Sequence, residues 1–521
     1  MGMQRYPRLE LHPLLESSLM RIGLLLLALL PFTSTAELSA NEPIDIGSRR
    51  ELFVDSALID QMNGQAELRL HHPTPREIAI QFDQPWEGNA SGYPTVIQDG
   101  DLYRMYYRGH AYIIDDPPLK QAQSEVVCYA ESSDGIHWTK PNLGLFDWPG
   151  SPENNIIWRG GPETHNFAPF IDTNPGCPPA QRFKAIGGTI TSKGLLTFQS
   201  ADGIHWKPLS DGPVVTKGAF DSHNTAFWDP DHHRYSMYVR YFSEDQFKGL
   251  RSIGMCHSDD FEHWSEPVGL EYPDSPPQQM YTNQIAPYYR APHVLFGFPT
   301  RYVAKPLTDF VQTLPPVELR TTLIAADERV GTDLTDGLFM SSRDGLTFHR
   351  WDEAFLRPGP EAEGRWIYGD NYQSYGLFET QADQPGLPNE ISLHFDEGAW
   401  RDSRRVRRYS IRLDGFVSLH APYAGGEVTT KLLTFNGNQL SLNYTTSAAG
   451  SLRIEIQDAE GQPIEGFTLN DSAEMFGDST QQIAQWSSGS NLSGLSGQPV
   501  RLRFVLKDGD LYSYRFETHD R

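Results

Sequence analysis

Four carboxyl-bearing positions stand in short polar clusters, each leading into an apolar, strand-like run: Glu87, Glu163, Asp221 and Asp370. Every cluster adds amides, imidazoles or both. Asn89 follows Glu87, His165 and Asn166 follow Glu163, His223 and Asn224 follow Asp221, and Asn371 and Gln373 follow Asp370. A fifth cluster, Tyr281-Thr282-Asn283-Gln284, has the same shape without an acid. Two carboxyl groups placed across a bond can hydrolyse a glycoside. One stays protonated and donates to the leaving oxygen, and the other acts as nucleophile or base. Amides and charged groups suit sugar hydroxyls, and aromatic rings stack on a pyranose face.

The elements that must position these clusters form a repeat. Each cluster opens a strand, a tight turn and a second strand, as in Val96-Ile97, Asp99-Gly100 and Leu102 to Arg108. Trp228, Asp229-Pro230 and Tyr235 to Arg240 repeat that order. Further on comes a second phrase, Ser132-Ser133-Asp134-Gly135-Ile136-His137-Trp138. It recurs at Ser200 to Trp206 and more weakly at Ser258 to Trp264 and Ser342 to Phe348. Asp-Gly suits a tight turn because glycine accepts a positive φ. Five such four-strand units read as a five-bladed β-propeller. The first blade is expected to close the ring with Glu51-Leu52-Phe53-Val54 or with the segment near residue 410. No long segment has helical periodicity.

Blade topology then sorts the polar residues by face. The Ser-x-Asp-Gly turns and His232-His233 fall on the side away from the strand entrances and read as structural. The entrance side gathers the five clusters with Arg108, Arg240 and Arg301 from strand ends, and with Glu125, Arg251, Asp333 and Asp336 from strand approaches. Trp86, Tyr93, Tyr281 and Tyr372 add rings. Glu87 and Asp221 are the favoured catalytic pair, because blades 1 and 3 face each other obliquely, with Glu163 and Asp370 as the other candidates. Asn89, Arg108, His165, Asn166, His223, Asn224, Arg240, Asn283, Gln284, Arg301, Asp336 and Gln373 are the expected substrate-binding set. The arginines have two readings, interblade ion pairs or a grip on a sulfate or carboxylate of the substrate.

Composition narrows the field. The 521 residues carry 43 Lys and Arg against 67 Asp and Glu, a formal charge of −24, which argues against a nucleic-acid surface. Three cysteines make no disulfide framework, and Cys128 and Cys256 read as buried small hydrophobes. Met20-Arg21, the apolar run Ile22 to Phe32 and Thr33-Ser34-Thr35-Ala36 read as a secretory signal, too short for a membrane span. From about Gly426 the pattern becomes plain alternation, as in Val500, Leu502, Phe504 and Leu506, and reads as a β-sandwich. The expected domains are a leader and signal at 1–40, a propeller at 41–420 and a sandwich at 421–521. The basic run Arg404-Arg405-Val406-Arg407-Arg408 between the two reads as an ion-paired face.

Five four-strand units with carboxylates at the inner entrances, followed by a sandwich, resemble the five-bladed propeller glycosidases of glycoside hydrolase family 32 and its family 43 relatives. Asp99-Gly100-Asp101-Leu102-Tyr103-Arg104-Met105-Tyr106-Tyr107 and Ser132 to Trp138 carry the resemblance. The tail from Pro499 to Ser513 resembles the sandwich attached to such propellers in exported bacterial proteins of unassigned activity. The family 32 nucleophile motif Trp-Met-Asn-Asp-Pro-Asn-Gly is absent; Trp86-Glu87-Gly88-Asn89 stands there, with no Arg-Asp-Pro triplet and no Glu-Cys pair. Fructan cleavage is therefore not implied. Sialidase Asp boxes place one residue between Asp and Gly, whereas here the two are adjacent.

The resulting expectation is an exported glycoside hydrolase, periplasmic or extracellular, acting as a monomer on an oligosaccharide or polysaccharide. The alternative is a non-catalytic carbohydrate-binding propeller. No cofactor, no metal ligand set, no nucleic acid and no membrane span after signal removal are expected, and the propeller axis is left open to a structural ion.

Overall fold

The Ser-x-Asp-Gly phrase is a turn that satisfies itself. Asp134 Oδ1 accepts from the amides of Ile136 and His137, both at 2.8 Å, while Ser132 Oγ accepts from Gly135 N at 2.9 Å. The same bonds recur at Ser200/Asp202, Ser258/Asp260 and Ser342/Asp344. The turn residue has φ of +72° at Gly135, +77° at Gly203 and Gly345, and +68° at Phe261. These turns also dock blade on blade. A Cβ at Gly203 would lie 2.6 Å from Tyr106 Oη, and the Tyr238 hydroxyl donates to Gly345 O at 2.8 Å. Local backbone bonding thus fixes the turn, and the missing Cβ lets it lean on the preceding blade.

The computed structural model describes residues 42–244, 248–362, 364–402 and 404–519; the expected signal lies outside the described residues. Five four-stranded antiparallel sheets form the propeller. Blade 1 comprises Gly92–Asp99, Leu102–Gly109, Val126–Ser132 and Ile156–Arg159. Blade 2 comprises Ala168–Ile171, Phe183–Gly187, Leu196–Ser200 and Lys207–Pro208. Thr225–Asp229, Arg234–Phe242, Arg251–Ser258 and Val268–Gly269 make blade 3. Ala286–Tyr288, Ala291–Gly297, Met340–Ser342 and His349–Arg350 make blade 4. Blade 5 takes Phe378–Thr380, Glu390–Glu397 and Arg405–Arg412, and its outer strand is Thr74–Gln81 from the start of the chain.

That closure corrects the expected one. Residues 51–54 close no blade, because Arg50–Leu52 pairs with Arg501–Glu517 in the other domain. The Thr74–Gln81 strand is held by charge as well as by its ladder. Arg408, fully buried, donates to Glu77 Oε2 at 3.0 Å, and Arg76 Nη2 donates to Glu390 Oε1 at 2.9 Å. The rest of the basic run is paired as well, Arg404 with Asp396 and Arg405 and Arg407 with Glu397. A chain begun at Phe82 would leave Arg405–Arg412 an open edge, take Glu77 from the buried Arg408 and remove the strands Arg50–Leu52, Ile59–Gly64 and Glu67–Leu70, which pair outside the propeller. It is expected in the insoluble fraction; a soluble, cooperatively melting truncation would contradict this account of ring closure.

The second domain draws on both ends of the chain, so its boundary differs from the expected 421. One eight-stranded sheet combines Arg50–Leu52, Ile59–Gly64, Glu67–Leu70, Val417–Ala421, Gly426–Thr430, Gln439–Gln457, Asp478–Ile483 and Arg501–Glu517. The two long strands, Gln439–Gln457 and Arg501–Glu517, pair along their length with a register break between Thr446 and Ser451. There they fold the sheet over one core of Leu442, Ile454, Leu502, Phe504, Leu511 and Phe516, with Phe435 stacked on Phe516 at 3.6 Å. Alternation is why the pattern was legible: Leu502, Phe504 and Leu506 are buried while Arg501, Arg503 and Val505 between them are not.

Blade 4 carries an addition that periodicity did not reveal. The hairpin Thr300–Val303 and Leu334–Gly337 brackets the helices Asp309–Thr313, Val317–Ala326 and Glu328–Thr332. The longest has ten residues and mixes polar with apolar side chains around its circumference, so no apolar stripe marks it. Among the described residues no helix is long and apolar enough to cross a membrane. Cys128 and Cys256 are buried and unbridged.

Candidate functional site

The inner strands begin in strained backbone. Tyr93, Phe220, Gln284 and Asn371, at the entrances of blades 1, 3, 4 and 5, all have positive φ, between +48° and +65°. Non-glycine residues there cost of order 1–3 kcal/mol each and persist where their surroundings over-determine them. Conserving that geometry is the work of the asparagines. Asn166 Nδ2 donates to Gly188 O, Phe220 O and Ser222 O at 2.6–2.9 Å. Asn224 bonds Phe220 O, Ser222 O and Arg240 N, Asn283 bonds His223 O, Tyr238 O and Thr225 Oγ1, and Asn89 bonds both backbone groups of Tyr112. These amides were expected to meet sugar hydroxyls. Backbone groups occupy them instead, because unpaired backbone polar groups at a buried strand entrance are costly.

The propeller axis takes another part of the expected set. His223 Nδ1 meets Gln284 Nε2 at 2.9 Å, His223 Nε2 meets Thr95 Oγ1 at 3.2 Å, and Gln284 Nε2 donates to Gln373 O at 2.6 Å. Burial pushes His223 down to about 3, so it is neutral. Blades 1, 3, 4 and 5 thus meet in one fully buried polar plug, with Tyr93 stacked on the His223 ring at 5.5 Å.

Glu87 is also placed elsewhere. Its side chain is fully buried, accepts from the Tyr107 hydroxyl and Lys140 Nζ, both at 2.6 Å, and ties down the turn at Gln84. No open face remains for a substrate, which removes it from the favoured pair. Trp86 likewise faces the blade 1 core and donates to Asn155 Oδ1. Glu163 accepts from Trp158 Nε1 at 2.8 Å and lines a pocket of about 330 Å³ with Phe198 and Pro208. Arg301 and Asp336 form a two-bonded ion pair and so satisfy each other.

Four expected residues do meet, together with Glu125. His165 stands between two carboxylates, its Nδ1 2.9 Å from Glu125 Oε1 and its Nε2 3.0 Å from Asp221 Oδ1. Arg108 Nη1 lies 3.7 Å from Glu125, and Arg240 Nη1 lies 3.9 Å from Asp221 Oδ2. Asp221 keeps 58% of its side-chain surface accessible, against 11% for Glu125 and 19% for His165. The surrounding protein by itself would raise Asp221, but the His165 bond and the charges of His165, Arg240 and Arg108 bring it down to about 2. Burial opposes protonation of His165, and the Glu125 charge overcomes it, lifting the imidazole to about 9. Glu125 is held well below the usual carboxylate range, burial being outweighed by His165 and Arg108. At neutral pH the cluster is therefore carboxylate, imidazolium, carboxylate, with Asp221 at the open end.

Asp370 has the opposite character. Burial pushes it up to about 8, with Glu397 and Asp396 adding to the effect. Its Oδ1 accepts from Ala399 N at 2.8 Å, and its buried Oδ2 has no protein partner among the described residues. Burial raises nearby Asp396 to about 6 although Arg404 donates to it.

Sequence reasoning passed over Tyr302, Tyr368, Arg329 and Trp400. They lie in the blade 4 addition, the approach to blade 5 and, for Trp400, the loop between Glu390–Glu397 and Arg405–Arg412, outside the repeated phrases. Tyr281, Tyr302 and Tyr368 pack mutually, with ring centroids 5.8–6.2 Å apart, and Tyr93, Tyr372 and Trp400 extend them. Among the described residues no group of three His, Cys, Asp or Glu forms a metal-holding cluster.

No family model matches the chain. An uncharacterised protein of Mycobacterium tuberculosis is 31% identical over 135 residues, which are 25% of this chain and 38% of that protein. The match thus spans well under half of the relative's length. Among solved structures, one described as a glycoside hydrolase aligns with a TM-score of 0.41 and 13% identity over 66% of this chain and 92% of that one. A fructofuranosidase from Schwanniomyces occidentalis complexed with fructosylnystose aligns with a TM-score of 0.37 and 12% identity over 84% and 96% of the two chains. The five-bladed ring itself rests on the strand pairing of this chain.

Proposed function

We propose that the protein is an exported glycoside hydrolase acting on an oligosaccharide or polysaccharide held in the central funnel. The observation that carries this reading is Asp221, an accessible carboxylate kept ionised by His165 and Arg240 beside a wall of tyrosines. Asp221 serves as the nucleophile or base. Asp370, whose carboxyl stays protonated at neutral pH with an unpartnered Oδ2, is the group suited to donate a proton to the leaving oxygen, a role that requires substrate binding to uncover its buried Oδ2. Environments that push two carboxyl groups apart in this way define acid and base roles. Glu125 positions His165 and touches no substrate.

One observation favours a second reading, a carbohydrate-binding propeller without turnover. The proposed acid, Asp370, is 2% exposed with its Oδ2 covered, so Asp221 meets solvent without it.

A panel of neutral, uronic and sulfated glycans, read by release of reducing ends, separates the two. The wild-type chain is expected to release them and both Asp221→Asn and Asp370→Asn to stop. Binding without release on every glycan would replace the hydrolase reading by the second one. Asp370→Asn carries a stability signature as well. A carboxyl whose folded pKa is raised costs stability as pH rises from its unfolded value, near 3.9, towards about 8. The variant should therefore melt above wild type by a margin that widens from pH 5 to pH 8. A margin independent of pH would show that Asp370 is ionised in the fold.

A further inference from the structure

Three arginines share the tyrosine wall. The Arg240 guanidinium lies 4.3 Å from the Tyr281 ring centre, Arg251 4.2 Å from Tyr302 and Arg329 4.9 Å from Tyr368. Those three rings pack on one another, so three like charges are gathered on one small aromatic cluster. Each ring keeps 5–8% of its surface accessible and belongs to one buried cluster that also holds Tyr93, Tyr372 and Trp400.

The charges are only partly cancelled within the chain. Among the described residues no carboxylate oxygen lies within 4 Å of Arg251 or Arg329, and Arg240 has only Asp221 at 3.9 Å. Arg251 Nη1 donates to the neutral Gln279 Oε1 at 2.5 Å, and Arg329 Nη1 reaches the Tyr302 hydroxyl at 3.5 Å. The Nε atoms of Arg240 and Arg251 are buried without a partner. One acid stands behind the wall, Asp333. It is buried and accepts from the Tyr302 hydroxyl and Lys305 N; burial raises it, while those bonds and the Arg329 and Arg251 charges act to lower it. Arg76, Arg290, Arg343 and Arg503, by contrast, are each paired with a carboxylate. A chain of net charge −24 has carboxylates to spare, yet among the described residues none lies within ion-pair distance of Arg251 or Arg329.

We propose that Arg240, Arg251 and Arg329 form a subsite for the carboxylate or sulfate of an acidic sugar, so that the substrate is an anionic glycan. This rests on the carbohydrate reading of the funnel and names its substrate class. Guanidinium forks bond carboxylate and sulfate oxygens through charge-assisted bonds, while the tyrosine faces take the sugar ring. Asp221, alongside, stays ionised and excludes a second anion from its own position, which orients the acidic group towards the blade 4 side.

The experiment measures binding and turnover separately on the full chain. Oligogalacturonate, its methyl-esterified neutral form, a sulfated galactan and its desulfated form are the probes, titrated calorimetrically at two salt concentrations. At least one acidic probe should bind ten- to a hundredfold tighter than its neutral partner, and the preference should shrink with salt. The two acidic probes distinguish carboxylate from sulfate. Arg251→Gln and Arg329→Gln should each remove most of the preference while leaving the neutral probe unchanged, and Arg329→Lys should keep part of it. Equal binding of acidic and neutral partners would overturn the proposal, as would a preference untouched by both glutamine variants with unchanged melting. Neutral-glycan hydrolysis without acidic preference would leave the hydrolase reading standing and this one fallen. Acidic binding without hydrolysis would do the reverse.

Discussion

Asp221→Asn is expected to lose about 10²–10⁴-fold in turnover, the usual worth of one acid–base or nucleophilic carboxyl group, while melting close to wild type. The side chain is 58% accessible, and asparagine still offers an oxygen to His165 Nε2, so little of the fold depends on its charge. The imidazole should respond. His165 stands at about 9 because two carboxylates flank it, and the variant leaves one, so its titration should move down when followed by NMR. The pH limits follow from the same clamp. His165, raised in the fold, contributes stability below about 6.5 that is lost as pH rises through about 9. Asp221 is depressed in the fold, but at 58% exposure solvent screens its pair, so the stability lost as pH falls from about 3.9 through about 2 is small. Turnover should fall on the alkaline side as Asp370, the proton donor, ionises through about 8, before His165 deprotonates at about 9. An Asp221→Asn protein with wild-type turnover on the active glycan would remove Asp221 from the chemistry.

Gly376→Ala is expected to be the costliest single methyl group in the propeller, about 4 kcal/mol or more. Gly376 has φ +110° at the start of the blade 5 inner strand, where Val96 N donates to Tyr375 O at 2.7 Å and Tyr375 N donates to Pro94 O at 2.9 Å. These bonds join blade 5 to blade 1 beside the axis. A Cβ at Gly376 would fall 2.0 Å from Val96 O, so the methyl group can be admitted only by breaking that junction. Gly461 supplies the control. Its φ is +78° with nothing within 4 Å of the added atom, so Gly461→Ala costs only the local strain, about 1–2 kcal/mol. Thermal and urea melts of the two variants should differ widely. Equal melting would mean that the blade 5 to blade 1 junction adjusts at no cost.

Much of the architecture was legible because it is local. Asp-Gly at a hairpin, an aromatic three residues on and alternating apolar runs are enforced by neighbouring backbone and by the two faces of a strand. They give five blades and a sandwich without reference to distant residues. The closing strand was not legible, because Thr74–Gln81 and Arg405–Arg412 are joined by a ladder and an Arg408–Glu77 pair that no local pattern announces. The blade 4 helices were hidden for another reason, the lack of an apolar stripe.

The site divides along the same line. By itself the sequence determined which residue types crowd the inner strand entrances, and it drew attention to Asp221, His165, Arg108, Arg240, Glu125 and Arg251. It could not tell an amide offered to a ligand from one spent on backbone, as Asn166, Asn224 and Asn283 are, because both kinds sit at the same place in the repeat. Nor could it separate Glu87 from Asp221. Only the tertiary structure decided that Lys140 and Tyr107 seal one while His165 and Arg240 leave the other open and charged. Charge state and access are set by partners distant in the chain, and those partners meet only when the ring closes.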